Sequence, residues 1–366
     1  MNKRRRWSWI ALAVMLALVV VRLLMPAWAT SYLNRKLDHM GSYHGQIESV
    51  DLQFWRGAYS IHKLLIIKRD GAVPVPLLDA PRIELAISWR ELLHGGIVAE
   101  VEFWHPELNI VDGRTERDTQ TGQGVDWRER LEGLLAIRLN EVDVHDGTFH
   151  FRNFNSDPKV DLVATRVNGQ VYNLTNVRET GSPRAATFDI HADVFGEAPL
   201  ESHARFDPFG HFEDFQIEMR ATGIKLKQLN DFLQAYAGVD AESGDGDIVM
   251  QLDAKDGELT GYAKPLFRHV TFFSWKHDVE QQHDNPLQLL WEGLAGGAEN
   301  VLKNQRANQF ATRVEFSGRT DQPQTSTIGA ILGILRNAFI EAYKPQFEKH
   351  LSEHLQDRKS AASEAH

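Results

Sequence analysis

Apolar and polar positions alternate with a period of two through most of the chain. The alternation runs through "SVDLQF" (49–54), "RIELAIS" (82–88), "AEVEF" (99–103), "ELNIV" (107–111) and "RLNEVDVHDGTFHF" (138–151). It continues in "TFDIHADV" (187–194), "FQIEMRAT" (215–222), "DIVMQLDA" (247–254) and "TRVEFSG" (312–318). Each segment predicts a strand with one face out of water. Asp70-Gly71, Asp112-Gly113, Asp146-Gly147 and Asp256-Gly257 supply turn chemistry between them, so antiparallel hairpins are the expected connection. A helical period replaces this pattern in a few places. "SWRELLHGG" (88–96) and "GIKLKQLNDFLQAYAG" (223–238) predict short helices between strands, and the recurrence of strand, short helix, Gly and strand hints at a repeated unit. "DWRERLEGLLA" (126–136) reads as a third insertion.

At the start, Lys3, Arg4, Arg5 and Arg6 precede an uncharged stretch from Trp7 to Val21. Cleavage after Ala29 and retention as an anchor both fit this layout, because Ala27-Trp28-Ala29 has the small-x-small spacing of a processing site. Retention is the better fit. As a helix, Trp7 to Ala29 covers about 34 Å, against a bilayer core of roughly 30 Å. Arg22 can snorkel to the far interface, and the cations hold the start in the cytoplasm. The expected membrane-anchoring residues are Arg4, Arg5, Arg6, Trp7, Arg22 and Trp28, and Trp28, Tyr32, Leu33, Leu37 and Met40 continue as an apolar stripe.

From residue 285 the expected region is helical, with one strand at 312–318. Ile328, Ile331, Leu332, Leu335, Phe339 and Tyr343 line one stripe of it. The expected organisation is therefore 1–29 cationic start and anchor, 30–41 membrane-proximal amphipathic helix, 42–284 β-rich body, 285–356 helical C-terminal region and 357–366 disordered tail. The fold class is mostly β with α inserts: an N-terminal transmembrane helix, an elongated antiparallel curved β-sheet body shaped like a groove, and a helical C-terminal region.

Composition narrows the functions. A net charge of −10 does not suit wrapping a phosphate backbone, so nucleic acid is excluded as a partner. No cysteine is present, which removes disulfides, thiolate metal sites and a thiol nucleophile. "HLSEH" (350–354) matches a zinc-peptidase spacing but sits in a charged helix end without room for a further ligand, and reads as a solvated terminus. His145, His150, His191 and His203 fall singly at polar positions of strands. "ESGDGDIV" (242–249) is acidic but lacks the EF-hand spacing, and reads as a turn before a strand. Asn173-Leu174-Thr175 is a glycosylation sequon. No catalytic, cofactor or metal site is expected. Trp55, Trp89, Trp104, Trp127, Trp275 and Trp291 fill a core or line an open apolar face, and periodicity alone does not separate the two.

The order of these features resembles a known family. "NRKLDHMGSYHGQIESVDLQFWRGAYSIHKLLIIK", "PRIELAISWRELLHGGIVAEVEFWHPELNIV", "IRLNEVDVHDGTFHFRN" and "TRVEFSGRTDQPQTSTIGAILGILRNAF" resemble the domain-of-unknown-function 748 proteins, relatives of the AsmA-like group. The resemblance implies a single-pass bacterial inner-membrane protein of a Gram-negative cell envelope, with its C-terminal body in the periplasm. It also implies a link to outer-membrane homeostasis and phospholipid movement along β-sheet grooves. This chain is short for a conduit: about fifteen strands at roughly 4.8 Å stack to about 70 Å at most.

The expected function is thus a non-enzymatic, membrane-anchored envelope protein whose apolar sheet face handles lipid. The candidate groove residues are Ile83, Leu85, Ile87, Val142, Val144, Phe149, Phe151, Ile217, Met219, Ile248, Met250 and Leu252. The expected partners are the membrane, phospholipid and other envelope proteins met through the C-terminal helices. The alternative is a periplasmic scaffold with a closed core that binds envelope proteins and no lipid.

Overall fold

The computed structural model describes residues 3–38, 40–53, 57–69, 71, 73–87, 98–122, 138–172, 174, 186–206, 214–237, 240–273, 309–311 and 313–319. The helices expected at 88–96 and 126–136, His350 and His354, Asn173, the tail, and Trp55, Trp89, Trp127, Trp275 and Trp291 lie outside these residues. Strands dominate. Two compact units are present, one of Met1–His150 with Arg166–Phe188, the other of Phe151–Thr165 with Asp189–His366.

The first unit opens with α1 (Lys3–Leu37) and continues through β1 (Tyr43–Gln46), β2 (Ser49–Gln53), β3 (Ala58–Lys68), β4 (Leu78–Ile87), β5 (Val98–Trp104) and β6 (Glu107–Val111). Strands β7 (Arg138–Asn153), β8 (Val160–Tyr172) and β9 (Ala186–Val194) carry residues of both units. The second unit adds β10 (Ala198–Phe206), β11 (Phe215–Lys225), a 3-10 turn at Leu226–Leu229, α2 (Asn230–Ala237), β12 (Asp240–Lys255), β13 (Glu258–Phe273), β14 (Gln309–Ala311) and β15 (Val314–Arg319). In the first unit the order is β1-β3-β4-β5-β7, with β2 on β3 and β6 on β4. In the second it is β9-β10-β11-β12-β13, and β13 also pairs with β14 and β15. These pairs are antiparallel wherever a register is defined, except β5 with β7, which is parallel.

All nine alternating segments fall on strands, but two parts of the expected fold are corrected. The first is the transmembrane helix at Trp7–Ala29: among the described residues no helix is long and apolar enough to cross a membrane. The helix α1 itself runs unbroken for 35 residues. Its side chains are described continuously only from Arg22 to Leu37. That stretch carries Arg22, Arg35 and Lys36, the polar Thr30, Ser31 and Asn34, and Pro26. Residues 30–37 continue α1 rather than starting a new helix, and the apolar stripe divides. Leu33, Leu37 and Met40 are buried, whereas Trp28 and Tyr32 are exposed and stack on each other at 5.5 Å.

The second correction is the helical C-terminal region. Within 285–356 the described residues are 309–311 and 313–319, and the residues regularly arranged there are the strands β14 and β15. Alternation of Val314 and Phe316 with Glu315 and Ser317 suits a strand paired along β13. The stripe from Ile328 to Tyr343 lies outside the described residues.

Turns are also fewer than expected. Asp256 and Gly257 form the two-residue β12–β13 hairpin with both φ values positive, 52° and 73°, as a type I′ turn requires. Asp146-Gly147, read as a turn, instead lies inside β7, and Glu242 to Val249 lies inside β12. Asp146 (φ 50°) is one of four exposed, charged or polar residues held in the left-handed region within strands, with Lys63 in β3 (54°), Arg166 in β8 (50°) and His269 in β13 (53°). At Lys63 the register of β3 with β4 runs on unshifted, His62 facing Arg82 and Leu64 facing Ala80, so the left-handed residue turns the strand's faces without inserting a residue. The inward side then changes parity: Ile61 is buried before Lys63 and Leu64 and Ile66 after it, Phe267 before His269 and Val270 after it.

Both units fasten a helix to a neighbouring segment with an asparagine, to the β1–β2 connection in the first and to β12 in the second. Asn34 on α1 donates to Ile47 O at 3.1 Å and accepts from Ile47 N at 2.7 Å. Asn230, the first residue of α2, does the same to Ala241 O and N, both at 2.9 Å. The amide copies a strand neighbour, so buried backbone groups that no strand reaches are satisfied. Each clasp is accompanied by a glycine that lets the helical segment approach. A Cβ on Gly45 would meet Leu37 at 3.1 Å, and one on Gly244 would meet Leu226 at 2.7 Å.

Candidate apolar sheet faces

Residues directly opposite in a sheet share a face, so the registers place the candidate groove residues. In the second unit, Ile217 faces Leu252 and Met219 faces Met250, while Ala221 faces Ile248. The same rows extend to Ala204, Ser202 and Leu200 on β10, and to Gly261, Ala263 and Pro265 on β13. A further row carries Phe206, Phe215, Ala254 and Leu259. In the two central rows the large side chains of β11 and β12 stand between small ones, Met219 and Met250 between Ser202 and Ala263, Ile217 and Leu252 between Ala204 and Gly261. Ser202 leaves the face apolar because its hydroxyl donates to Glu218 O at 3.1 Å.

This face is partly covered. Phe215, Met250, Leu252, Ala254 and Leu259 form a buried cluster, and the half-buried Phe206, Ile217 and Met219 pack against it. Leu252 is 1% exposed and Leu259 0%. On the opposite face of the same strands lies a depression of about 450 Å³ whose lining includes Asp189, His203, Glu218, Arg220 and Tyr262. A partly covered apolar face accepts an acyl chain: each methylene removed from water contributes about 0.8 kcal/mol.

The opposite face of these strands is polar, and several of its side chains are paired. Gln216 donates to Asp253 at 2.8 Å, His203 meets Asp189 at 2.6 Å, and Arg313 pairs with Glu315 at 3.1 Å while lying over the Tyr262 ring at 4.1 Å.

In the first unit, Ile83 faces Phe103, which faces Val144, and Leu85 faces Val101, which faces Val142. Ile87 faces Ala99, and its side chain lies outside the described residues. Ile83 (4%) and Leu85 (0%) are buried, Val142 and Val144 half-buried. Tyr59, opposite Leu85, adds a phenol to this face, and burial pushes its pKa well up. The polar side is acidic. Glu84 faces Glu102, which faces Asp143; Glu100 faces Glu141; Asp79 faces Glu107. Burial, then Asp143 and Glu100, raise the pKa of Glu141. Asp79 is raised by burial and Glu107, against the pull of Lys63.

The remaining groove candidates divide between the units: Phe149 is half-buried in the first, Phe151 buried in the second. Each unit thus holds part of the candidate set. Of the proposed anchors, Arg22 and Trp28 are exposed, while the side chains of Arg4, Arg5, Arg6 and Trp7 lie outside the described residues. Phe206, Phe215 and Leu259 were missed as members of the second face; the alternation 215, 217, 219 along β11 already offered Phe215, and register through β10 and β13 brings in the other two.

His145 stacks on Trp104 at 4.3 Å and meets Glu102 at 3.9 Å, His150 meets Glu107 at 3.9 Å, and His191 is exposed. Among the described residues no three His, Asp or Glu side chains are placed to share a metal ion. No family model matches the chain, and none of the curated proteins compared with it does.

Proposed function

We propose that the chain is a non-enzymatic envelope protein that handles lipid, with acyl chains taken up on the apolar face of β10 to β13. The observation that carries this reading is the four-strand apolar face, with half-buried Phe206, Ile217 and Met219 around a buried floor. A second observation supports it: Trp9, Leu12, Met15, Leu16, Val19, Val20, Leu23, Leu24 and Trp28 of α1 are all exposed, a surface that suits contact with lipid better than with water. Location at the inner membrane with the body in the periplasm, and kinship with the domain-of-unknown-function 748 and AsmA-like proteins, belong to the same proposal.

The burial of Leu252 and Leu259 favours a different reading, a scaffold whose sheet face is closed and which meets other envelope proteins. The two are separated by a photoactivatable phospholipid carrying its reactive group in the acyl chain, incubated with the full chain. Crosslinks on the peptides holding Ile217, Met219 and Met250 are the expected result. Crosslinks confined to α1, or none, would leave the scaffold.

A further inference from the structure

A second site, for a lipid headgroup, is built where α1 meets the first strands. The last turns of α1 and the β1–β2 segment enclose a crevice of about 920 Å³, with Ser31, Arg35 and Asp38 on the helix side and His44, Glu48 and Asp51 on the strand side. Its floor includes Pro26, Ala27 and the buried Ile47 and Val50. Two of the acids are engaged, Asp38 with Arg69 at 3.5 Å and Asp51 with His62 at 3.0 Å. Arg35 and Glu48 have no ion-pair partner among the described residues, and His44 Nδ1 is shielded from water without a hydrogen bond.

We propose that this crevice binds the headgroup of a zwitterionic phospholipid with a primary ammonium, the phosphate on Arg35 and the ammonium on Glu48. The inference rests on the lipid reading above. Complementarity of charge selects this occupant: one uncompensated cation on the helix side and one uncompensated anion on the strand side match a headgroup carrying both signs. A primary ammonium donates up to three hydrogen bonds, whereas a quaternary one donates none, so Glu48 discriminates between them.

The test is flotation of the full chain with vesicles of phosphatidylcholine alone and of phosphatidylcholine mixed with phosphatidylethanolamine. Tighter association with the mixed vesicles is expected, on the order of threefold for one exposed charge-assisted contact. Glu48→Gln should abolish that preference, Glu48→Asp should keep part of it, and Arg35→Gln should weaken association with both vesicles. Equal association of the unmodified chain with both vesicles, or an unchanged preference in Glu48→Gln, would overturn the headgroup site. Acyl crosslinking at Met219 is read on the same proteins, so loss of the lipid reading is told apart from loss of this site.

Discussion

The two units solve the same packing problem with one device and then diverge on their polar faces. In each, an asparagine clasps one residue through both backbone groups, Asn34 on Ile47 between β1 and β2 and Asn230 on Ala241 of β12, and a glycine admits the helical segment. In each, one sheet face is apolar. On the other face, the second unit pairs donors with acceptors across strands, whereas the first sets carboxylates against carboxylates on β4, β5, β6 and β7. Arg82, paired with Glu84, and His145 beside Glu102 offset part of this acidic face. The apolar faces and clasps hold the units together, and the polar faces are free to differ.

The largest expected effect comes from charging the floor of the second unit's face. Leu252→Asp buries a carboxylate without a partner and should cost about 3–5 kcal/mol, enough to lose the cooperative melt of that unit. Met219→Asp, at the half-buried edge, should keep the far-UV spectrum and a cooperative transition with a loss of about 1–2 kcal/mol. Equal damage from both would mean that the face is a uniformly closed core.

Next in size are the clasps. Asn230→Ala leaves the amide and carbonyl of Ala241 unsatisfied, for a loss of roughly 2–3 kcal/mol, and Asn34→Ala should cost a similar amount in the first unit. Hydrogen exchange at the amides of Ala241 and Ile47 reads each clasp separately. Protection unchanged in either variant would show that the amide is not what secures that segment.

Smaller still is the acidic face. Glu141 has a raised pKa in the folded chain, so it binds its proton more tightly there than when unfolded. Its penalty is absent at pH below the unfolded carboxylate value and grows as the pH rises through the folded one. The first unit should therefore melt higher at mildly acidic pH than at neutral pH, Asp79 acting in the same direction. Glu141→Gln should raise the melting temperature at neutral pH, by about 0.5–1 kcal/mol in stability, and flatten that dependence. No gain from Glu141→Gln would show that the facing carboxylates are already neutralised.

The strands were legible in the sequence wherever the period of two ran clean, and three that escaped share a cause. Strands β3, β8 and β13 each contain a left-handed residue, Lys63, Arg166 or His269, at which the inward parity changes. None is glycine, so no turn chemistry announces it, and the apolar residues on either side fall out of phase. In β7 the opposite error arose: Asp146-Gly147 carries the chemistry of a turn but serves as the same kind of step within a strand. The apolar face of the second unit was half legible, because alternation gives the inward residues of one strand while register gives their neighbours. The clasps were not legible at all, since Asn34 and Asn230 find their partners 13 and 11 residues away, a distance set by the loops between.

The central claim, that the face of β10 to β13 takes acyl chains, is tested most directly by mass spectrometry of lipids retained by the purified full chain after detergent washing, alongside Met219→Asp. The account predicts near-stoichiometric phospholipid on the unmodified chain and its loss in a folded Met219→Asp variant. A folded, lipid-free unmodified chain, or lipid retained in full by Met219→Asp, would contradict it.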